Sequence, residues 1–195
     1  MSNDLFTFEG QRKYLTDEEI ERFIASAQAH ERANVRTLCL VLAYTGCRIS
    51  EALQLSAERV DVSEKTIRFR TLKQRGGDVF RAVPVPEILL DTLELVHGVR
   101  KAQRGRKGQG KAPLWPWGRT QAWKHITATM AAANVIGPHA TPKGLRHGFG
   151  VKAASRTRNP RMVQKWLGHR SIETTMIYMD AVGAEERDLA ASMWQ

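Results

Sequence analysis

The chain has 195 residues, 42% hydrophobic and 26% charged, which is enough apolar surface for one folded domain and too much for a disordered polar chain. No apolar run approaches the roughly 18 residues that cross a bilayer, and the first residues lack the basic flank and apolar stretch of a secretory signal, so the expected compartment is the cytosol. The formal charge is +10, and the two cysteines, Cys39 and Cys47, form no CxxC pair and have no His cluster beside them, which argues against a disulfide framework or a zinc site.

Thr16-Asp-Glu-Glu19 reads as a capping box, with Leu15 and Ile20 as a hydrophobic staple, so a helix is predicted to start there. Val35 to Tyr44 predicts a buried helix, ended by Thr45-Gly46 just before Arg48, and Ser50 to Leu55 a short one. Thr66 to Leu72 alternates like a half-buried strand, Gln74-Arg-Gly-Gly77 is a turn, and Val79 to Val83 returns, giving a hairpin with Lys73 near its tip. Ile88 to Val96 is helical in pattern, whereas Arg100 to Lys111 alternates Gly and basic residues and predicts a mobile loop. Helices are predicted for Thr120 to Ala133, Pro142 to Ala154, Pro160 to Leu167, Ile172 to Met179 and Ala184 to Met193. The expectation is a mainly α protein with a small antiparallel β-sheet, an α+β fold.

Charge is distributed unevenly. Residues 1–94 carry 13 basic and 15 acidic side chains, Leu95 to Ile172 carries 16 basic and none acidic, and Glu173 onward carries 1 basic and 5 acidic. Such a run suits a polyanion, nucleic acid first; an anionic membrane surface competes, but the cations do not line one amphipathic helix.

Four separated pieces resemble a known family. Leu42-Ala-Tyr-Thr-Gly-Cys-Arg-Ile-Ser-Glu-Ala-Leu53, the hairpin Lys73, Gly144-Leu-Arg-His147 and Leu167-Gly-His-Arg-Ser-Ile-Glu-Thr-Thr-Met-Ile-Tyr178 are similar, in order and spacing, to the catalytic domain of tyrosine recombinases of the phage-integrase type. The resemblance implies that fold over residues 15–195 after an extension of residues 1–14, with no amino-terminal DNA-clamping domain; the chain is then either a naturally short recombinase or an excised domain, and its Met start favours the first.

Cutting DNA without a metal needs a nucleophile, donors to the non-bridging phosphate oxygens and a proton for the leaving 5′ oxygen. By resemblance, Arg48 and Arg146 clamp the scissile phosphate, each with a planar fork that lysine lacks, and Tyr178 attacks phosphorus to form a 3′-phosphotyrosyl link. Lys73 protonates the leaving oxygen, with Arg75 the alternative, and His169 bonds the phosphate; no metal or other cofactor is implied. Glu51 matches an acidic position supporting Arg48. Lys143 stands where most relatives have His, three residues before Arg146; it is expected to contact the scissile phosphate as a cation but is a poor base near neutral pH. His147 follows Arg146 directly, about 100° round a helix, and is expected to be a structural histidine; His139 stays open as a substitute.

Plainer readings stand beside these. Arg48 could cap the preceding helix, Arg146 pair with a carboxylate, Lys73 solvate a turn, and Trp115, Trp117 and Trp123 be core or interface aromatics. Arg75, Arg104, Arg106, Lys107, Lys111 and Arg170 are expected to bind DNA. The partner is double-stranded DNA, engaged by a homotetramer on paired sites with an accessory protein possible and Glu185 to Trp194 as a docking element between subunits. A non-catalytic DNA-binding regulator and a topoisomerase-like strand-relaxing enzyme are the competing function classes.

Overall fold

A computed structural model describes residues 5–71, 79–105, 108–180 and 191–194. The capping box at Thr16 forms as predicted: Glu19 N–H donates to Thr16 Oγ1, Thr16 N–H donates to the Glu19 carboxylate, and α1 (Asp17–Gln28) begins there. It turns Ile20, Phe23 and Ala27 inward against α2 (Ala33–Thr45), which is buried on almost every side and forms the axis of the core. Gly46 ends α2 in the left-handed region at φ 58°, where a side chain is strained, and a Cβ there would also lie 2.4 Å from the Phe149 ring. This turn delivers Arg48 to the start of the one-turn α3 (Ile49–Ala52).

A three-stranded antiparallel sheet follows: β1 (Val60–Asp61), β2 (Thr66–Arg70) and β3 (Phe80–Pro84), in that order. Ile67 pairs with Val83 and Phe69 with Arg81, and all four are buried, so the inner face of β3 holds an arginine among apolar groups. The predicted hairpin thus exists on both sides of its turn; Lys73 and Arg75 lie outside the described residues.

Beyond the sheet come α4 (Glu87–His97), α5 (Val99–Arg104), α6 (Arg119–Ala132), α7 (Pro142–Thr157), α8 (Pro160–Leu167) and α9 (Glu173–Met179). The predicted mobile loop is corrected here. Residues 99–104 are helical and Gln109–Lys111 is a 3-10 turn, because the Gln103 amide donates to Ala57 O and Val60 O at 2.8 and 2.7 Å and ties the segment to the body. Most of the predicted terminal helix, along with Arg106 and Lys107, lies outside the described residues.

Two apolar clusters result. The main one centres on α2, with Trp115 buried and its indole N–H donating to Asn34 O. A smaller one gathers Leu5, Ala153, Ala154, Val163, Leu167 and Tyr178. Residues preceding α1 therefore fold back onto the body, with Leu5 packed in the same cluster as Tyr178. Both cysteines are buried free thiols, their pKa pushed up to about 12 chiefly by burial.

Candidate active site

Five of the six residues expected to carry chemistry lie on described elements. Arg146 sits on α7 and is buried, and its guanidinium donates to Gly46 O at the end of α2 and to Leu167 O at the end of α8, each at 2.8 Å. Gly144, in the first turn of α7, lets the preceding loop pass close to the helix, since a Cβ there would lie 1.9 Å from His139 O. Burial and the neighbouring Arg48 bring the Arg146 guanidinium down to about 10. Two neighbouring cations, one of them buried, favour an anion between them.

Arg48 is the more open of the pair. Its side chain is 29% exposed, its Nη1 bonds Glu51 Oε1 at 2.8 Å, and its backbone N–H donates to Glu51 Oε2, so it caps α3 rather than the end of α2. Glu51 is fully buried and also receives Arg81, from β3, at 2.6 Å. Burial works to raise the Glu51 pKa, but Arg81 and Arg48 hold it below the usual carboxylate range. Sequence patterns alone do not single out Arg81; its signal is register, since alternation on β3 places it on the same face as Val83.

Arg48 lines a cleft of about 370 Å³ with Thr71, Gly168, His169, Arg170, Ser171 and Thr174. Gly168 ends α8 at φ 67°, and a Cβ there would come within 3.0 Å of the Arg81 side chain. His169 Nδ1 lies 3.0 Å from Thr175 Oγ1, and its ring stacks on Tyr178 with centroids 5.9 Å apart. Burial, then Arg146 and Arg48, lowers the His169 pKa to about 3, so the imidazole is neutral at physiological pH.

Tyr178, on α9, is 3% exposed, and its ring lies over Gly150, where a Cβ would approach it to 2.8 Å. Burial raises its pKa, while Arg146 and Arg48 pull the other way. Its hydroxyl is 2.8 Å from His147 Nδ1. His147, expected to be a structural histidine beside the site, is buried, and the 100° step round α7 from Arg146 brings it onto the Tyr178 hydroxyl. Burial, then Lys143 and Arg146, lowers the His147 pKa to about 4, so the imidazole is neutral at physiological pH.

Lys143 is exposed, one turn before His147. His139 is spoken for elsewhere, its Nε2 lying 3.1 Å from Glu19 Oε1 in a cluster with Arg12. Among the expected DNA contacts, Arg170 borders the Arg48 cleft, whereas Arg104 and Lys111 line a separate cleft of about 740 Å³ that also holds Glu58 and Asp61. Carboxylates from outside the basic stretch reach it elsewhere too, since Lys152 lies 3.6 Å from Asp17 and 3.9 Å from Glu21.

The family model described as the phage integrase family matches residues 13–184, across all of these positions. The chain belongs to the phage integrase family. Within it, the chain is 30% identical to the type 1 fimbriae regulatory protein FimE of Escherichia coli K12, over 95% of this chain and 92% of FimE. It is 28% identical to the tyrosine recombinase XerD of Halalkalibacterium halodurans, over 92% of this chain but only 60% of XerD. Among solved structures, a XerA recombinase superposes with a TM-score of 0.73 at 26% identity, covering 92% of this chain and 64% of that one. The XerH recombinase bound to its difH substrate, in a pre-cleavage complex, also gives 0.73, at 22% identity, over 97% of this chain and 60% of that one. The mainly α architecture with a small antiparallel sheet is thus the fold of recombinase catalytic domains, and this family member spans about 60% of the Xer chains it matches.

Proposed function

We propose that this phage integrase family member breaks and rejoins double-stranded DNA at specific sites through a 3′-phosphotyrosyl intermediate. One observation carries the reading: the Tyr178 hydroxyl lies 2.8 Å from His147 Nδ1, within electrostatic reach of Arg146 and Arg48, and its ring stacks on His169, which lines one cleft with Arg48.

The scissile phosphate docks at Arg48 and is drawn toward Arg146, whose fork is oriented in advance by two backbone carbonyls. Tyr178 Oη attacks phosphorus while its proton passes to His147 Nδ1, the acceptor already in hydrogen-bond contact. Arrival of the phosphate anion offsets the positive charge of Arg146 and Lys143 that depresses His147, and so raises its basicity when it is needed. The P–O5′ bond breaks, Lys73 supplies the proton to the 5′ oxygen, and the 3′ phosphate remains on Tyr178. His169, fixed by Thr175, donates to a non-bridging oxygen. Attack by a 5′ hydroxyl on the phosphotyrosine reverses each step, so the bond energy is conserved without a cofactor. Exchange between two DNA sites calls for a tetramer, one pair of active subunits at a time, working in the cytoplasm with or without an accessory protein.

A nicked duplex that loses the short fragment bearing the 5′ hydroxyl traps the intermediate. Wild type should give a protein–DNA adduct that survives denaturing electrophoresis, and Tyr178→Phe should give none; an adduct of unchanged yield in Tyr178→Phe would remove Tyr178 as nucleophile.

A further inference from the structure

Resting on the recombinase reading above, we infer that Arg81 is a positioning residue of the reaction, joining the Arg48 turn, the Gly168–His169 turn and the strand pair that flanks Lys73 through one buried guanidinium. All five of its donors belong to a group that is 5% exposed on the inner face of β3. Nη2 bonds Glu51 Oε2 at 2.6 Å, and Nη1 bonds Glu51 Oε1 at 3.2 Å. Nε donates to Trp166 O at 2.8 Å, two residues before Gly168. Nη1 also approaches Thr71 Oγ1 at 3.5 Å, and the guanidinium carbon lies 5.3 Å from the centre of the Phe69 ring, both on the β2 side of the hairpin.

Glu51 has no exposed surface and needs a counterion. If Arg48 were its sole side-chain partner, the carboxylate would draw that guanidinium inward, away from the phosphate. Arg81 bonds both carboxylate oxygens, and the Arg48 guanidinium keeps one bond, to Oε1, beside its backbone N–H bond to Oε2, with its side chain 29% exposed. A buried ion pair adds little net stability over an apolar pair of similar volume, so stability alone gives a weak reason for an arginine at this core position. Its bond to Trp166 O, and its contact with the place a Gly168 side chain would occupy, set the turn that presents His169.

The test measures single-turnover cleavage of a saturating nicked substrate, together with DNA affinity and thermal stability. Arg81→Gln should slow cleavage by about 10- to 100-fold, as loss of an outer-layer partner does elsewhere, with affinity within about threefold. Adding Glu51→Gln to Arg81→Gln should restore part of the rate, because the carboxylate that captures Arg48 is gone. Arg81→Lys keeps the charge without the second anchor and should fall between wild type and Arg81→Gln. If Arg81→Gln does not fold, Arg81→Lys with and without Glu51→Gln decides the same question. A folded Arg81 variant that cleaves at the wild-type rate, or a double variant no faster than its single parent, overturns the assignment. Wild type failing to form any adduct would instead sink the recombinase reading, and this role with it.

Discussion

Tyr178 Oη and His147 Nδ1 are 2.8 Å apart, although the residues are 31 positions apart in sequence. With His147 protonated on Nε2, the tyrosine O–H donates to Nδ1, which is the direction in which its proton must leave for attack on phosphorus. In the proposed mechanism this contact supplies the proton acceptor, while Lys143, exposed one turn away, acts on His147 through its charge.

His147→Phe should therefore slow single-turnover cleavage by about 10²- to 10⁴-fold while leaving DNA affinity nearly unchanged. His147→Asn, which retains an acceptor oxygen, should lose less of the rate. Lys143→Ala should shift the acid limb of the pH–rate profile toward higher pH, because a positive neighbour that holds His147 down has been removed. A His147→Phe enzyme that cleaves as fast as wild type, or faster, would show that the hydrogen bond merely restrains the tyrosine.

The two imidazoles at the site also give a stability signature. His147 and His169 titrate near 4 and 3 in the fold, against 6.5 when unperturbed, so the unfolded chain takes up these protons first as pH falls. Their contribution is complete above about pH 6.5 and is lost progressively down to about pH 4 and pH 3, with a slope of at most about 1.4 kcal/mol per pH unit per group. Denaturant midpoints should fall between pH 7.5 and pH 5, and His169→Gln should reduce that fall. A midpoint independent of pH over this range would contradict the burial of both groups.

At Gly46 the expectation is structural and then catalytic. Alanine there meets a left-handed backbone, costing about 1–2 kcal/mol, and also the Phe149 ring at 2.4 Å. Because Gly46 O orients Arg146, Gly46→Ala should lower the unfolding midpoint and cut the cleavage rate of the remaining folded protein. Calorimetry and single-turnover kinetics on the same sample check both; retention of full rate at reduced stability would separate the turn from the clamp.

Arg104 and Lys111 share their cleft with Glu58 and Asp61, so part of their charge is balanced within the protein. Each phosphate neutralised contributes roughly −0.9 to the slope of log affinity against log salt, and Arg48→Gln should reduce that slope by about one. Arg104→Gln with Lys111→Gln should reduce it by less than two. A full reduction of two would show that both face the DNA backbone despite their acidic neighbours.

Elements fixed by neighbours in the chain are legible in the sequence by itself. The Thr16 capping box, the Gly46 stop and the Pro-led starts of α7 and α8 depend on backbone groups within one turn, and the fold keeps them at those positions. The spacing of Leu167-Gly-His169 to Tyr178 likewise identifies the family, because a motif is a property of order along the chain. Other features require tertiary structure. Segment 99–104 is helical because Gln103 finds carbonyls more than 40 residues away, and nothing local signals that. Arg81 meets Glu51 across 30 positions and Trp166 across 85, and a lone arginine in a strand pattern reads as an outward charge until the register turns it inward. His147 shows the same limit most sharply. Helix geometry alone sets its 100° offset from Arg146, but which group waits at that angle is decided by how α9 packs on α7.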